Sequence, residues 1–206
     1  QSLGVSISGL LAFGGIGGIA VGFAAKDLLA NFLGGLSIYL DRPFAVGDWI
    51  RSPDREIEGT VEDIGLRITR IRTFDQRPLY VPNSTFSSVA LENPSRMSNR
   101  RIYETVGVRY EDANRVAKIV EDVQSMLRSH DAIAQDRTMI VNFNHMGPSS
   151  LDFFIYTFTK TTNWIEFHAI KEDVLLRVLD IVAQKGAEVA FPTHTSHQVR
   201  PEPGRL

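Results

Sequence analysis

Hydrophobic and polar positions follow three different patterns along this chain of 206 residues. Residues 3–25 carry no charged side chain, and glycine and alanine dominate positions 14–25. From residue 57 to about 82, apolar and polar residues alternate in short bursts. Beyond about residue 99, alternating runs are separated by stretches in which apolar residues recur every three or four positions. The first pattern predicts one long helix, the second short strands with one wet face, and the third a mixture of strands and helices.

The uncharged stretch is long enough to cross a hydrocarbon core as a helix. In water each of its glycines would cost about 1 kcal/mol relative to alanine. In a bilayer, small residues instead let helices approach closely where no hydrophobic force drives them together. On a helix Ala12, Ile16, Ile19, Phe23 and Lys26 share one face. Gly15, Gly18, Gly22 and Ala25 occupy an adjoining face, and Gly14, Gly17 and Val21 another. If the small faces pack against neighbouring copies, the bulky face lines an axis, and Ile19 and Phe23 form successive apolar rings able to empty a narrow pore of water. The same composition also describes an ordinary membrane anchor with a glycine-rich packing face. Basic residues follow only on the C-terminal flank, at Lys26, Arg42, Arg51 and Arg55, which predicts that everything after the span is cytoplasmic. No basic stretch precedes the span and no cleavage site follows it, so a signal peptide is not expected. Because the chain begins at Gln1, further upstream membrane segments are expected.

After the Arg42-Pro43 break, Ile57, Gly59 and Val61 alternate with Glu58, Thr60 and Glu62. Leu66 and Ile68 begin another strand in which Ile71 falls out of phase, so a bulge near Thr69 or Arg70 is expected. Asp75-Gln76 turns the chain into a strand at 79–81 that Pro82-Asn83 ends. These pieces predict a small all-β domain of about five strands over 44–97. Over 98–190 the order is strand, helix, strand, strand, helix. A strand at 102–108 precedes a helical stripe at Val116, Ile119, Val120, Val123 and Leu127, with Asp112 as its N-cap. Met139, Val141 and Phe143 alternate, Gly147-Pro148-Ser149-Ser150 turns the chain, and 151–158 is an apolar strand. Phe167, Ile170, Val174, Val178 and Ile181 mark a final helix closed by Gly186. That order predicts an α+β module of ferredoxin-like type. Residues 1–43 then form the membrane part and 191–206 a C-terminal strand and tail.

A net charge of −2 argues against a dedicated nucleic-acid binder, so no nucleic-acid partner is expected. Arg67, Arg70, Arg72 and Arg77 are interleaved with Glu56, Glu58, Glu62, Asp63 and Asp75, which describes a solvated hairpin or a subunit contact. The absence of cysteine excludes disulfides and thiolate metal sites. His194 and His197 have the spacing of two ligands on one helical face, but Pro192 and Pro201 argue against a helix and no third ligand lies near, so no metal site is expected. Gly15-Ile16-Gly17-Gly18-Ile19-Ala20 fits a loose dinucleotide fingerprint, with Asp41 about twenty residues on, after the strand-like 36–40. Its preceding segment is a poor strand and no parallel βαβ units follow, so no cofactor is expected. No HExxH motif, phosphate-binding loop or nucleophile elbow occurs, and no catalytic residue is assigned.

The run Gly18-Ile19-Ala20-Val21-Gly22-Phe23-Ala24, then Asn31, Gly35, Asp41-Arg42-Pro43-Phe44, Gly47-Asp48-Trp49-Ile50, Gly59-Thr60-Val61 and Val81-Pro82-Asn83, resembles the small-conductance mechanosensitive channel family of bacteria. The Gly-Gly-x-Gly-Gly run, Ser52-Pro53-Asp54-Arg55 and Arg77-Pro78-Leu79-Tyr80-Val81-Pro82-Asn83 are especially similar to its low-conductance enterobacterial members. This resemblance covers essentially the whole chain. It implies a membrane protein with a pore-lining helix, an Sm-like β domain and a ferredoxin-like domain. It further implies a homoheptamer of the bacterial inner membrane, surrounded by lipid, opening under tension to release ions and small osmolytes on hypoosmotic shock.

By the same resemblance the pore constriction falls on Ile19 and Phe23, and the knobs and grooves between helices on Gly18, Ala20 and Gly22, beside the small faces at Gly14, Gly15 and Gly17. The kink that turns the pore helix along the membrane falls on Asp27, where the best-known relative has glycine. Gly34 and Gly35 offer an alternative hinge. Leu28, Leu29, Phe32 and Leu36 recur at helical intervals and describe a second half whose apolar face meets lipid or upstream spans. Asn31 falls on a position that touches the loop holding Asn83 and Ser84, a coupling point between gate and vestibule. Lys26 faces the cytoplasmic pore mouth, pairs with Asp27 of a neighbouring copy, or snorkels to the interface. The α+β module is expected to wall a vestibule with side openings, and a strand within 191–199 to join a barrel. The competing readings are a non-conducting membrane scaffold and a dinucleotide-dependent enzyme.

Overall fold

The computed structural model describes residues 7–193, with side chains described from Gly14 onward. The side chain of Ala12, the pair His194 and His197, and most of the strand expected within 191–199 lie outside the described residues. The chain divides into two units, Gln1–Met97 and Ser98–Leu206.

The first unit opens with helix α1, Ile7–Asp41, 35 residues in length and so about 52 Å long. It is helical through Asp27, Gly34 and Gly35 without a break. The strand-like run 36–40 belongs to its last turns, a correction that shows how a short apolar run does not by itself separate strand from helix. Only Ile38 of that run is buried, as one face of a helix requires. The helix stops at Arg42, which adopts a φ of 49°, because the residue before a proline is disfavoured in the right-handed helical region.

Four antiparallel strands follow in sequential order: β1 (Trp49–Ser52), β2 (Ile57–Ile64), β3 (Ile68–Arg72) and β4 (Pro78–Pro82). The expected fifth strand is reduced to one bridge, in which Arg51 and Glu92 exchange backbone hydrogen bonds of 3.0 and 2.8 Å. The register shift lies on β2 between Val61 and Asp63, whereas β3 stays in phase. Its reason is that β3 turns Thr69 and Ile71 inward together, so Ile68 faces outward. Ile38 and Phe44 share the core of this unit with Ile50, Ile57, Val61, Ile71 and Val81. A single-turn helix α2, Asn83–Phe86, follows β4 directly.

In the second unit, β5 (Arg100–Val108), α3 (Val116–Ser129), β6 (Ile140–Met146), β7 (Leu151–Thr159) and α4 (Trp164–Gln184) appear in the ferredoxin-like order. The antiparallel sheet has the order β5-β7-β6, and a fourth strand position is marked only by a bridge from Val189 to Val108. Ile119, Val123 and Leu127 of α3 and Phe167, Val174 and Val178 of α4 pack with Ile102, Val141, Phe153 and Ile155 of the sheet. Asn163 caps α4, its Oδ1 accepting from the N–H groups of Ile165 and Glu166 at 3.0 and 3.1 Å. Gly186 ends the turn after α4 with a φ of 68°.

Asp112 does not cap α3. It sits buried in a 3-10 turn, Tyr110–Arg115, and holds Arg109 at 3.0 Å, Arg115 at 2.6 Å and the N–H of Glu188 at 3.1 Å. A local capping pattern was outweighed by two arginines and a distant backbone donor. Burial alone would raise this carboxyl, but the Glu188 N–H and the two guanidinium groups outweigh it and hold Asp112 below the usual range.

Candidate pore helix and its seat

Every described side chain of α1 from Gly18 to Ala30 is exposed. Ile19 and Phe23 are 63% and 74% accessible, and Lys26 and Asp27 are exposed as well. A methyl group added at Gly14, Gly15, Gly17, Gly18 or Gly22 would meet nothing within 4 Å. From Gly14 to Asp41 the helix is apolar enough to span a bilayer, with mean hydropathy reaching 1.4. So the proposed constriction is exposed, and its small-residue faces meet no other part of the chain among the described residues. Exposure of such a stretch to water is untenable for a stable protein, which leaves lipid or other chains as its surroundings.

The last third of the same helix is anchored. At Gly34 an added Cβ would lie 2.7 Å from the Asn83 carbonyl, and at Gly35 it would lie 2.7 Å from the Asn83 amide nitrogen and 2.9 Å from the Leu66 carbonyl oxygen. These two glycines let α1 rest on the backbone at the β4–α2 junction, so in this structure they form a seat. Asn83 is fully buried. Its amide donates to the Gly65 carbonyl at 2.8 Å and its oxygen accepts from the Thr69 hydroxyl at 2.8 Å.

One turn earlier on α1, Asn31 donates to the Asp27 carbonyl at 2.8 Å and accepts from the Ser84 N–H at 3.1 Å. Pro82 offers no side-chain cap to α2, and Asn31 supplies that cap from another helix. Asn31, Asn83 and Ser84, singled out as a coupling point, thus meet in one place. Thr69 and Gly65 were not singled out. A threonine in phase with Ile71 on an alternating strand was the available signal.

The end of α1 has a second clasp. Asp48 accepts from the Ala45 N–H at 3.0 Å and the Asn93 amide at 2.9 Å, with Arg96 at 3.4 Å. Asn93 also donates to the Pro43 carbonyl, and Arg96 to that of Arg42, at 3.1 and 2.9 Å. The Asn93 hydrogen bond, helped by the Ala45 N–H and Arg96 against partial burial, holds the Asp48 carboxyl below its ordinary value. On the sheet, Glu62 takes Arg72 at 2.7 Å and Arg70 at 3.0 Å, and the Arg72 hydrogen bond leads in lowering its carboxyl. With Arg77 and Asp75 paired at 2.5 Å as well, five of the charges in the locally basic hairpin are in ion pairs. Phe32, Leu36 and Tyr39 of α1 face Phe44, Ile64 and Leu66 across an apolar cavity of about 490 Å³. Among the described residues no cluster of three or more acidic or histidine side chains could hold a metal.

Residues 1–26 match the family description "Mechanosensitive ion channel, transmembrane helices 2/3". Residues 27–96 match "Mechanosensitive ion channel, beta-domain", and residues 104–189 match "Mechanosensitive ion channel MscS, C-terminal". The low conductance mechanosensitive channel YnaI of Escherichia coli K12 is 58% identical over 208 aligned positions, covering 100% of this chain and 61% of that protein. The small-conductance mechanosensitive channel MscMJ of Methanocaldococcus jannaschii is 32% identical, covering 95% of this chain and 55% of that protein. The cryo-EM structure of Arabidopsis thaliana MSL1 superposes with a TM-score of 0.84 at 30% identity, covering 92% of this chain and 68% of that one. The closed-state crystal structure of Helicobacter pylori MscS gives 0.78 at 26% identity, covering 97% and 76%. The chain thus spans little more than half the length of these curated relatives. Three consecutive family regions, matched in order on a helix, a β unit and an α+β unit, do not favour the dinucleotide reading: the chain belongs to the MscS family of mechanosensitive ion channels.

Proposed function

We propose that this chain supplies the pore-lining helix and the cytoplasmic vestibule of a homoheptameric channel in the bacterial inner membrane, opened by lateral tension. The observation that carries this reading is the division within α1. Among the described residues its glycine-rich half meets no other part of the chain, while its last third is locked to the β unit. Such a helix has packing surfaces for neighbours and a rigid attachment through which the rest of the protein holds it.

With Gly14, Gly15, Gly17, Gly18, Ala20 and Gly22 packed against adjacent copies, Ile19 and Phe23 turn toward the axis and close it by excluding water. Each phenylalanine gains roughly 1.5–3 kcal/mol on leaving water, so a ring of seven favours closure by about 10–20 kcal/mol at most. Tension in the surrounding lipid offsets that amount by favouring the wider state. Ions and small osmolytes then pass, which relieves hypoosmotic swelling. Lys26, one turn beyond Phe23, lies at the mouth. Asp27 remains the kink candidate carried over from the family, and the seat at Gly34 and Gly35 is where movement of α1 is passed to α2 and β3 through Asn31, Asn83 and Ser84. The family is one of ion channels, and no enzymatic role is assigned.

The test is tension-ramped patch recording of the protein reconstituted in pure lipid. Phe23→Asn, which wets the ring, is expected to open at lower tension or leak at rest. An unchanged threshold would remove Phe23 from the gate. Stable membrane oligomers without any stretch-activated current would favour the scaffold reading instead.

A further inference from the structure

The second unit carries two apolar surfaces that its own core does not use. On α4, Phe167, Val174, Val178 and Val182 are buried against the sheet. At 100° per residue, Ile165, Ala169, Glu172, Leu176 and Leu179 form a stripe on the opposite side of the helix. All five are exposed, Ile165 at 80%. A helix that packs on one side only should be polar there.

The sheet has the complementary peculiarity. Phe153 and Ile155 of β7 turn toward the helices, so Phe154, Tyr156 and Phe158 turn away from them. Cross-strand pairing sets Tyr103 opposite Tyr156 and Arg101 opposite Phe158. The rings of Tyr103 and Tyr156 meet edge to face at 6.0 Å, those of Tyr156 and Phe158 at 5.4 Å, and the Arg101 guanidinium lies 5.6 Å from the centres of Tyr103 and Tyr156. Tyrosine and arginine clustered on an uncovered sheet have the composition of an interface centre.

We infer that the aromatic outer face of the β5-β7-β6 sheet in one copy receives the outer stripe of α4 from the next copy, head to tail. Charge selects this occupant. Arg101 sits within the aromatic face and Glu172 within the α4 stripe, and neither has an ion-pair or hydrogen-bond partner among the described residues. Docking brings the two together between apolar flanks, where a bare charge would otherwise be costly. Because the two surfaces differ and lie on opposite sides of the unit, the contact is heterologous and repeats around a ring. This inference rests on the homo-oligomeric channel reading and adds to it which surfaces of the vestibule wall meet.

Cysteine is absent from the sequence, so thiol chemistry can address chosen positions. In the reconstituted protein, Arg101→Cys combined with Glu172→Cys, treated with a short bis-maleimide, is expected to give a ladder of covalent multimers that neither single substitution gives. Arg101→Glu and Glu172→Arg are each expected to loosen the assembly in native mass spectra, and their combination to restore it. Oligomers of unchanged mass with no ladder would overturn the face assignment and leave the channel reading standing. Cross-linking by either single cysteine variant would indicate a two-fold contact and overturn it as well. A monomer before cross-linking would overturn both.

Discussion

The two ends of α1 use glycine for opposite purposes. Around Gly14, Gly15, Gly17, Gly18 and Gly22 there is open space, whereas Gly34 and Gly35 lie against the backbone of Asn83 and Leu66 at distances that no side chain could share. The first set costs helix stability and meets no other described part of the chain, and the benefit we propose for it is contact with other helices. The second set is satisfied internally, and its benefit is the attachment of the helix to the β unit. On that proposal, identical residues in one helix mark where other copies are needed and where the attachment is internal.

Substitution at the seat should have the largest effect. Gly34→Leu drives a side chain into main-chain atoms that cannot yield, and is expected to destabilise the first unit by about 3 kcal/mol or more. Rapid hydrogen exchange across residues 78–86 would report it. Gly18→Leu, made in the open half, should leave that exchange unchanged while weakening the oligomer. Equal responses at both positions would erase the distinction between the two ends.

Next comes the buried amide. Asn83→Ala leaves the Thr69 hydroxyl and the Gly65 carbonyl without their partner, a loss of about 1–3 kcal/mol readable by denaturant unfolding. Asn31→Ala removes the borrowed cap of α2 and an exposed hydrogen bond to the Asp27 carbonyl, and should cost about 1 kcal/mol. If Asn31 also carries motion, its substitution will shift the tension threshold more than that small stability change accounts for.

The smallest effect concerns acid. Asp48 and Glu62 have carboxyl groups depressed by hydrogen bonds from Asn93 and Arg72 respectively. Their contribution is complete above the unfolded carboxylate range, about pH 4, and is lost as pH falls through their lower folded values. Stability of the first unit should decline below about pH 4, with a shallower decline in Asp48→Asn. The seat is made of amides, a hydroxyl and backbone groups, so hydrogen exchange at Asn83 should respond later than exchange at the Arg42-Pro43 junction.

Much of this was legible before any coordinates. The uncharged glycine-rich run, the alternation at 57–62 and the three-four spacing of Val116, Ile119, Val123 and Leu127 each matched an element, because each is a local pattern set by burial on one side. What could not be read depended on partners distant in sequence. Thr69 points inward and donates to Asn83, fourteen residues on, and the register shift lies on β2 rather than β3. Asp112 left its capping role for Arg109, Arg115 and Glu188. For the site, Asn31, Asn83 and Ser84 were named through family resemblance, whereas their joint dependence on Gly34 and Gly35 as a seat emerged only from the close approach of two backbones.

The account depends most on Ile19 and Phe23 facing an aqueous path between copies. Cysteine substitution through residues 18–26 of the reconstituted protein, with a charged, membrane-impermeant thiol reagent applied during tension-activated current, tests this directly. Modification at positions 19 and 23 is predicted to reduce the open current, and modification at 18 and 22, within helix contacts, to leave it unaltered. Current that responds at 18 and 22 while 19 and 23 stay inert would contradict the account.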